Sequence, residues 1–498
     1  MCSFYDGLES NFVIWYNCGS ENFIKKIYFL LGDILLMDNI SAVILAAGEG
    51  KRMKSKTSKV LCEVAFKPML NWVISACQNM GCKKSNICVV LPPNNQDIIE
   101  ATNNELNYVV QNNRLGTGDA VKQALPFIAN LPNNANILIM LGDAPLITSE
   151  VLNNLYEHHI AKKNVLTVLS ANVKDPSGYG RIVRNKINNN QLLKIVEETE
   201  CTAEEKNIAE INSGVMCFKK EALEYTLTKL ENNNSNGEYY ITSAISILLN
   251  KGEKVGVFNC YNPSVVLGAN TKFQLMKMND IARLKIIEEL SNNGVEFISS
   301  SGVIISPDVK IGKNTVIYPG VILKGNTVIG NNCVITSNSQ IEDGIVGNSV
   351  VIQSSYITNA KIGNNVKIGP FCNIRPNSNI ADNVKIGDFV EVKNSNVGEK
   401  TSIAHLTYVG DSDVGKNVNF GCGCVTVNYN GVKKYRTVIG DNCFIGCNTN
   451  LIAPVKIGNN VYTAAGSTVT DDVSDSSLCI ARAKQVVKKG WKIKNTKE

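Results

Sequence analysis

Ile305-Ser306-Pro307-Asp308-Val309-Lys310-Ile311-Gly312-Lys313-Asn314-Thr315-Val316-Ile317 opens a run in which an aliphatic residue returns at every sixth position: Ile305, Ile311, Ile317, Leu323, Ile329, Ile335 and Ile341. A helix repeats about every 3.6 residues and a strand every second one, so neither produces this period. A stack of short strands does. Each six-residue unit forms one flat side and points one aliphatic side chain inward. It turns the corner on Gly or Asn (Gly312, Asn314, Gly330, Asn331, Asn332, Gly363, Asn364), which accept positive φ cheaply. The register breaks near Gly347, resumes at Ile362, Ile368, Ile374, Ile380, Ile386 and Val392, and returns at Ile439, Ile445, Leu451 and Ile457. Residues 297–480 therefore read as one parallel β-helix.

Outward from this solenoid, a chain of 498 residues needs at least one further domain. Net charge is only +6, with 19% charged residues of both signs interleaved, which implies no nucleic-acid footprint. The 16 cysteines are scattered, and Cys422-Gly423-Cys424 lacks metal-finger spacing, so free thiols in a reducing cytoplasm are expected. Near the start, Lys25-Lys26 precedes the apolar Ile27–Leu31, but Gly32-Asp33 interrupts the run and it is too short to span a bilayer. No stable membrane insertion is expected. Met37 is read as the biological start and residues 1–36 as a non-native or disordered extension. Leu275, Met278, Ile281, Leu284, Ile287 and Leu290 predict an amphipathic helix inside a linker, 268–296. Residues 481–498 read as a basic, solvated tail.

The remaining segment, 37–267, begins with an apolar strand that runs into Leu45-Ala46-Ala47-Gly48-Glu49-Gly50-Lys51-Arg52-Met53, with Lys59-Val60-Leu61 behind it. Small residues let backbone N–H groups approach a polyphosphate, Gly48 and Gly50 permit the turn, and Arg52 and Lys59 supply charge. The spacing is neither Walker A nor the dinucleotide fingerprint. Further along stand Gln111, Leu115-Gly116-Thr117-Gly118, Leu141-Gly142-Asp143-Ala144-Pro145, Gly178-Tyr179-Gly180-Arg181, Ile195-Val196-Glu197, Ile211-Asn212-Ser213-Gly214 and Gly237-Glu238-Tyr239-Tyr240. Asp143 follows the apolar run Ile137–Met140, the C-terminal strand end where open α/β sheets place ligands. The third of three histidines, His405, lies where the hexads falter, in Ala404-His405-Leu406-Thr407-Tyr408-Val409-Gly410. An unperturbed imidazole titrates near neutral pH, the range in which a side chain can take or give a proton. Asn428-Tyr429-Asn430-Gly431 to Tyr435 interrupts the repeat as a loop.

In this order the motifs resemble those of the bifunctional N-acetylglucosamine-1-phosphate uridyltransferase/glucosamine-1-phosphate acetyltransferase family, over residues 37 to about 491. The resemblance implies a Rossmann-like α/β nucleotidylyltransferase domain followed by a left-handed parallel β-helix that forms homotrimers. For the first domain it implies that Leu45, Ala46, Ala47, Gly48, Gln111, Gly116 and Thr117 hold UTP, and that Gly180, Glu197 and Asn212 hold the N-acetylated sugar. Arg52 and Lys59 would act catalytically, and Asp143 with Asn270 would bind Mg²⁺. For the solenoid it implies His405 as general base, and Arg375, Lys393, Tyr408, Asn419 and Lys434 as glucosamine-1-phosphate contacts. Cys422, Asn428, Tyr429, Cys447, Ala465 and Arg482 would hold acetyl-CoA.

The chain departs from the family pattern at Pro92-Pro93, Asp119, Leu141, Ser243, Cys422 and Cys447. The expected products are N-acetylglucosamine-1-phosphate and then UDP-N-acetylglucosamine for cell-wall polymers. A single-activity nucleotidylyltransferase with a structural solenoid, and a non-catalytic scaffold, are the competing readings. His405, Lys393, Asn428-Tyr429 and Arg482 oppose the first; Arg52, Lys59, Asp143 and Asn270 oppose the second.

Overall fold

A computed structural model describes residues 39–55, 57–185, 191–234 and 236–491, so the segment 1–36 lies outside the described residues. The chain forms two compact units: one runs to Cys62 and resumes over Met69–Gly268, and the other combines Glu63–Pro68 with Ala269 onward.

In the first unit a twisted sheet runs in the order Val255–Cys260, Leu166–Asn172, Glu210–Lys219, Asn136–Leu141, Ile40–Leu45, Ile87–Leu91, Asn107–Val110. All neighbours are parallel except Glu210–Lys219, which is antiparallel to both strands beside it. The central strands read as continuous apolar runs because both faces are covered. Ile40, Ala42 and Ile44 face one core with Leu70, Val73, Leu152 and Leu155 of the helices Met69–Asn79 and Ser149–Ala161. Val43, Ile137 and Ile139 face the other, with Val121, Leu223 and Ile245. The chain leaves Ile40–Leu45 toward Ile87–Leu91 on one side and later enters Asn136–Leu141 on its other side. The C-terminal ends of these strands, where Leu45 pairs with Leu141, are thus a topological switch point, and a ligand crevice belongs there.

His158 and His159 are neighbours on the helix Ser149–Ala161. His159 is fully buried, its Nδ1 2.9 Å from the Thr167 hydroxyl, and burial lowers its pKa to about 4. The helix's inner face carries Leu152, Leu155, Tyr156 and His159, an i, i+3, i+4, i+7 stripe in which a neutral imidazole substitutes for an apolar residue.

The second unit is a left-handed parallel β-helix whose short strands form three parallel ladders, one along each side of the coil. The aliphatic hexad positions fill its interior; of those named above only Ile311 is not fully buried. Asn314 stacks on Asn332 after 18 residues, Asn331 on Asn348 after 17 and Asn348 on Asn364 after 16. Shortened coils therefore account for the broken register near Gly347. From Lys416 to Asp441 the interval is 25, because that coil carries the loop around Tyr429.

The corners divide their labour differently from the expectation. Asn314, Asn332 and Asn365 adopt positive φ, whereas Gly312, Gly330 and Gly363 do not. Those glycines answer to crowding between coils: a Cβ on Gly330 would lie 2.5 Å from the carbonyl oxygen of Gly347. The neighbouring Asn side chains form a ladder, each accepting a backbone N–H from the coil below, Lys313 to Asn331 at 2.9 Å, Asn331 to Asn348 at 2.8 Å and Asn348 to Asn364 at 2.8 Å.

The predicted helix spans Lys272–Asn292 and starts on a capping box, with Thr271 and Gln274 exchanging hydrogen bonds. Its buried residues are Met278, Ala282, Ile286 and Ile287, while Leu284 is exposed. Apolar residues three apart fall about 60° further round at each step, so the six expected positions cannot share one face. The hairpin Glu63–Val64/Lys67–Pro68 belongs to this unit, with the Ala65 N–H donating to Asn279 at 2.8 Å.

Two candidate active sites

The loop after Ile40–Leu45 and the turn after Asn136–Leu141 both leave the switch point. Ala46 donates its N–H to Val90 at 2.9 Å, and Gly142 to Leu45 at 3.0 Å. Ala46 and Ala47 are buried, Gly48 is exposed, and Arg52 lies exposed on the short 3-10 turn Lys51–Met53. Lys59 and Asp143 meet directly in an ion pair whose side chains are 10% and 19% exposed, so each charge is compensated at the strand ends. Gly268 approaches the same carboxylate, since a Cβ on it would sit 3.6 Å from Asp143 Oδ1; Asn270 follows two residues later in the chain.

A cleft of about 1480 Å³ opens beside this loop, lined by Gly48, Glu49, Pro92, Asn113 and Arg114 among others. Gln111 is buried at the end of strand Asn107–Val110 and donates its amide to Gly116 and Asp119. Gly116 has φ +102, and a Cβ there would lie 2.6 Å from the Tyr239 carbonyl, so this turn requires glycine. The Thr117 hydroxyl accepts the Ile241 N–H at 3.1 Å. Arg114, which the motif reading passed over, donates to the Ala47 carbonyl at 3.0 Å and pairs with Glu49 at 3.0 Å. A lone Arg in an Asn-rich turn gives no signal until the two loops are folded together.

A third group gathers Gly180, Glu197 and Asn212. A Cβ on Gly180 would lie 3.3 Å from Glu197 Oε2 and 3.6 Å from the Asn212 Cβ, and Asn212 donates its N–H to the Gly180 carbonyl at 2.8 Å. Burial raises the Glu197 pKa, partly offset by the Thr242 hydroxyl that donates to it at 2.9 Å. Beside it the buried Arg181, quoted in the Gly178–Arg181 string without a role, grips the Tyr179 carbonyl and Glu198.

In the solenoid, His405 Nδ1 lies 2.8 Å from Asp388 Oδ1, with side chains 57% and 40% exposed. Asp388 and His405 are register partners on adjacent coils. The hydrogen bond from His405 holds the Asp388 pKa below its usual range, and an ionised carboxylate can only accept, so Nδ1 is the donor of this pair and Nε2 is the ring nitrogen left for other chemistry. Counting back one coil from His405 would have found Asp388. The same ladder continues upward: Ser402 pairs with Asn419, Asn419 with Phe444, and Phe444 with Tyr462. Three positions beyond each lie His405, Cys422, Cys447 and Ala465, a column of small side chains above the imidazole. The Cys422 carbonyl accepts the Asn448 N–H at 2.8 Å and the Cys447 carbonyl the Gly466 N–H at 2.7 Å. Arg482 stands exposed just past the last coil.

On the adjoining side, Arg375 pairs with Glu391 at 2.8 Å, and Glu391 is the register partner of Tyr408. Lys434, carried by the loop, sits beside Lys393 and is the first cause of its lowered pKa; desolvation and Arg375 add to it. Three cations thus converge at an exposed surface, an arrangement that favours a dianion. Asn428 donates to Asp411 and, at 3.3 Å, to Tyr408, which ties the loop to the coil, while Tyr429 is 55% exposed. Asn419 belongs to the His405 ladder and not to this cationic side. The expected solenoid residues therefore form two sets on different sides of one chain's coil.

Comparison with known proteins places both units. The nucleotidyl transferase family model matches residues 41–261, the bacterial transferase hexapeptide model 308–343 and 436–471, and the GMPPB C-terminal domain model 356–445. A bifunctional protein GlmU of Caldanaerobacter subterraneus subsp. tengcongensis is 47% identical over 91% of this chain and 98% of that protein. The chain belongs to the bifunctional GlmU family. Relatives in Acetivibrio thermocellus and Clostridium botulinum, also named bifunctional protein GlmU, are both 44% identical, over 92% and 90% of this chain and 98% and 97% of their own lengths. Membership makes the chain a nucleotidyltransferase with a second transferase activity on the hexapeptide coil, against the single-activity and scaffold readings. No helix among the described residues is long and apolar enough to cross a membrane, and none of the described cysteines forms a disulfide.

Proposed function

We propose that the protein makes UDP-N-acetylglucosamine in two steps, acetylating glucosamine-1-phosphate in the solenoid and uridylylating the product in the first unit. The observation that carries this reading is the coexistence of two complete charge constellations, Lys59–Asp143 at the switch point and Asp388–His405 on the coil.

In the acetyl transfer, His405 Nε2 accepts a proton from the sugar amine as the nitrogen attacks the thioester carbonyl. The C–S bond breaks and the CoA thiol leaves. Asp388 fixes the tautomer and ring direction throughout. Arg375, Lys393, Lys434, Tyr408 and Asn419 bind the sugar phosphate. Asn428, Tyr429, Cys422, Cys447, Ala465 and Arg482 bind acetyl-CoA, the column of small side chains leaving room for its pantetheine arm. Because Arg375, Lys393, Tyr408 and Lys434 lie on one side of the coil and His405, Asn419, Cys422, Cys447 and Ala465 on another, a second copy of the chain would complete the pocket. The exposed Phe371 and Phe389, stacked at 5.3 Å, and the exposed Leu406 follow this corner and would form the trimer contact.

In the uridylyl transfer, Leu45, Ala46, Ala47, Gly48, Gln111, Gly116 and Thr117 hold UTP, and Gly180, Glu197 and Asn212 hold the sugar. The sugar phosphate is already ionised, so no general base is needed. Arg52 and Lys59 neutralise the triphosphate as the α-phosphorus–oxygen bond breaks and pyrophosphate leaves. Asp143 and Asn270 would hold Mg²⁺, which supplies charge neutralisation at the phosphates when bound. A carboxylate and an amide oxygen are donors of the kind Mg²⁺ accepts, and Mg²⁺ takes most of its shell from water and phosphate. A cytoplasmic enzyme supplying cell-wall precursors follows from this reading. Coupled assay of thiol release and pyrophosphate release, with each substrate omitted in turn, tests it; absence of either product from complete mixtures overturns the corresponding half.

A further inference from the structure

The loop that lengthens one coil is a hairpin. Tyr429 bridges Lys434 antiparallel, and the Asn430 side chain closes the tip by accepting the N–H groups of Val432 at 3.0 Å and Lys433 at 2.9 Å. Its outgoing foot is tied by Asn428 to Asp411 and Tyr408. Its returning foot is tied by Arg436, two residues past Lys434, before the strand Thr437–Ile439 resumes the coil. That guanidinium reaches back over the two preceding coils. Nε and Nη2 fork onto Asp413 at 2.8 and 2.5 Å, Nη2 also donates to the Ser412 carbonyl at 3.0 Å, and Nη1 donates to the Asn394 carbonyl one coil further down at 3.1 Å. Asp413 is held in turn by the Asn396 amide, which donates to it at 2.7 Å. A planar fork satisfied on both prongs fixes direction, which an ammonium on a flexible stem does not.

The fastening has a force to resist. Lys434 sits beside Lys393 and is the first cause of that lysine's lowered pKa, with desolvation and Arg375 adding to it. Until an anion arrives, these like charges push the returning leg away from the coil. The leg's own backbone tie, from the Tyr435 N–H to the Asn428 carbonyl at 2.8 Å, joins it to the other leg and not to the Lys393 coil. We propose that Arg436 is the positioning residue for phosphate recognition on the solenoid, its fork on Asp413 holding Lys434 against Lys393 so that both cations meet one sugar phosphate. This rests on the reading of that cationic side as the glucosamine-1-phosphate site.

The test measures kcat and KM of acetyl transfer, for glucosamine-1-phosphate and for acetyl-CoA, in the full-length chain and in Asp413→Asn and Arg436→Lys. Asp413→Asn separates positioning from field. Deleting a carboxylate beside the cations leaves the surface more positive and by charge alone lowers KM for a dianion, whereas loss of the fork raises it. The glucosamine-1-phosphate KM is expected to rise about tenfold in Asp413→Asn and in Arg436→Lys, which keeps the charge and loses the fork, with kcat and the acetyl-CoA KM within about twofold of wild type. An unchanged or lowered KM in Asp413→Asn, an Arg436→Lys that matches wild type, or KM for both substrates rising together overturns the proposal. A Lys434→Ala that leaves the glucosamine-1-phosphate KM unchanged overturns the reading of the cationic side itself.

Discussion

Asp388 accepts the Nδ1 proton of His405, and that bond gives the account its sharpest residue-level predictions. His405→Ala should lower acetyl transfer by about 10²- to 10⁴-fold and leave uridylyl transfer intact. Asp388→Asn should lower kcat with little change in KM for acetyl-CoA, because an amide can offer a donor and release the tautomer; equal effects on both parameters would contradict this role. Glu197 gives the pH dependence. Its pKa is raised by burial, so on acidification it takes up a proton while an exposed glutamate would still be ionised. Uridylyl transfer should fall as pH drops through that raised value, and Glu197→Gln should remove the limb from the profile. The stability sign is the reverse of an ion-paired acid's: the contribution is present below the unfolded pKa and is lost as pH rises through the folded one. Cys447 is exposed, whereas Cys424 beneath it is buried with its pKa pushed up to about 11. Alkylation should therefore reach Cys447 first and slow acetyl transfer. Acetyl-CoA should protect, and Cys447→Ser should be insensitive; peptide mapping checks the site.

At the scale of the element, the corner is the unit of the solenoid. Gly330→Ala would force a Cβ against the Gly347 carbonyl, and Asn332→Ala would put an alanine at φ +57. Each should cost about 1–3 kcal/mol, while Asn332→Gly should be nearly neutral, read from calorimetric melting of the full chain. The strands themselves were legible because every sixth residue is aliphatic and nothing but a coil buries that pattern. The corner roles were not, because Gly and Asn alternate there for different reasons: one answers to the next coil's backbone and the other to its own φ. Both effects depend on coils stacking 16 to 18 residues apart. The same limit applied to helix Lys272–Asn292, which its apolar spacing placed inside the linker 268–296 but whose buried face was set by what it packs against.

Across the whole molecule, the two units carry their charge constellations on separate scaffolds, so the two activities should be separable. Lys59→Ala and Asp143→Ala should abolish nucleotide-sugar formation while leaving acetyl transfer unchanged; loss of both would contradict separate sites. The contiguous motifs, Leu45–Met53 and Ala404–Gly410, were readable in sequence because each packs its chemistry into one loop. Arg114 and Asp388 were not, and Arg181 and Asp119 were named without a role, because their partners lie on other segments and only folding brings them together. The measurement that tests the account most directly supplies purified protein with glucosamine-1-phosphate, acetyl-CoA, UTP and Mg²⁺ and follows free CoA thiol and pyrophosphate separately. The account predicts release of both, with pyrophosphate dependent on acetyl-CoA. Pyrophosphate from supplied N-acetylglucosamine-1-phosphate with no CoA release in any mixture would contradict it and reduce the solenoid to a structural element.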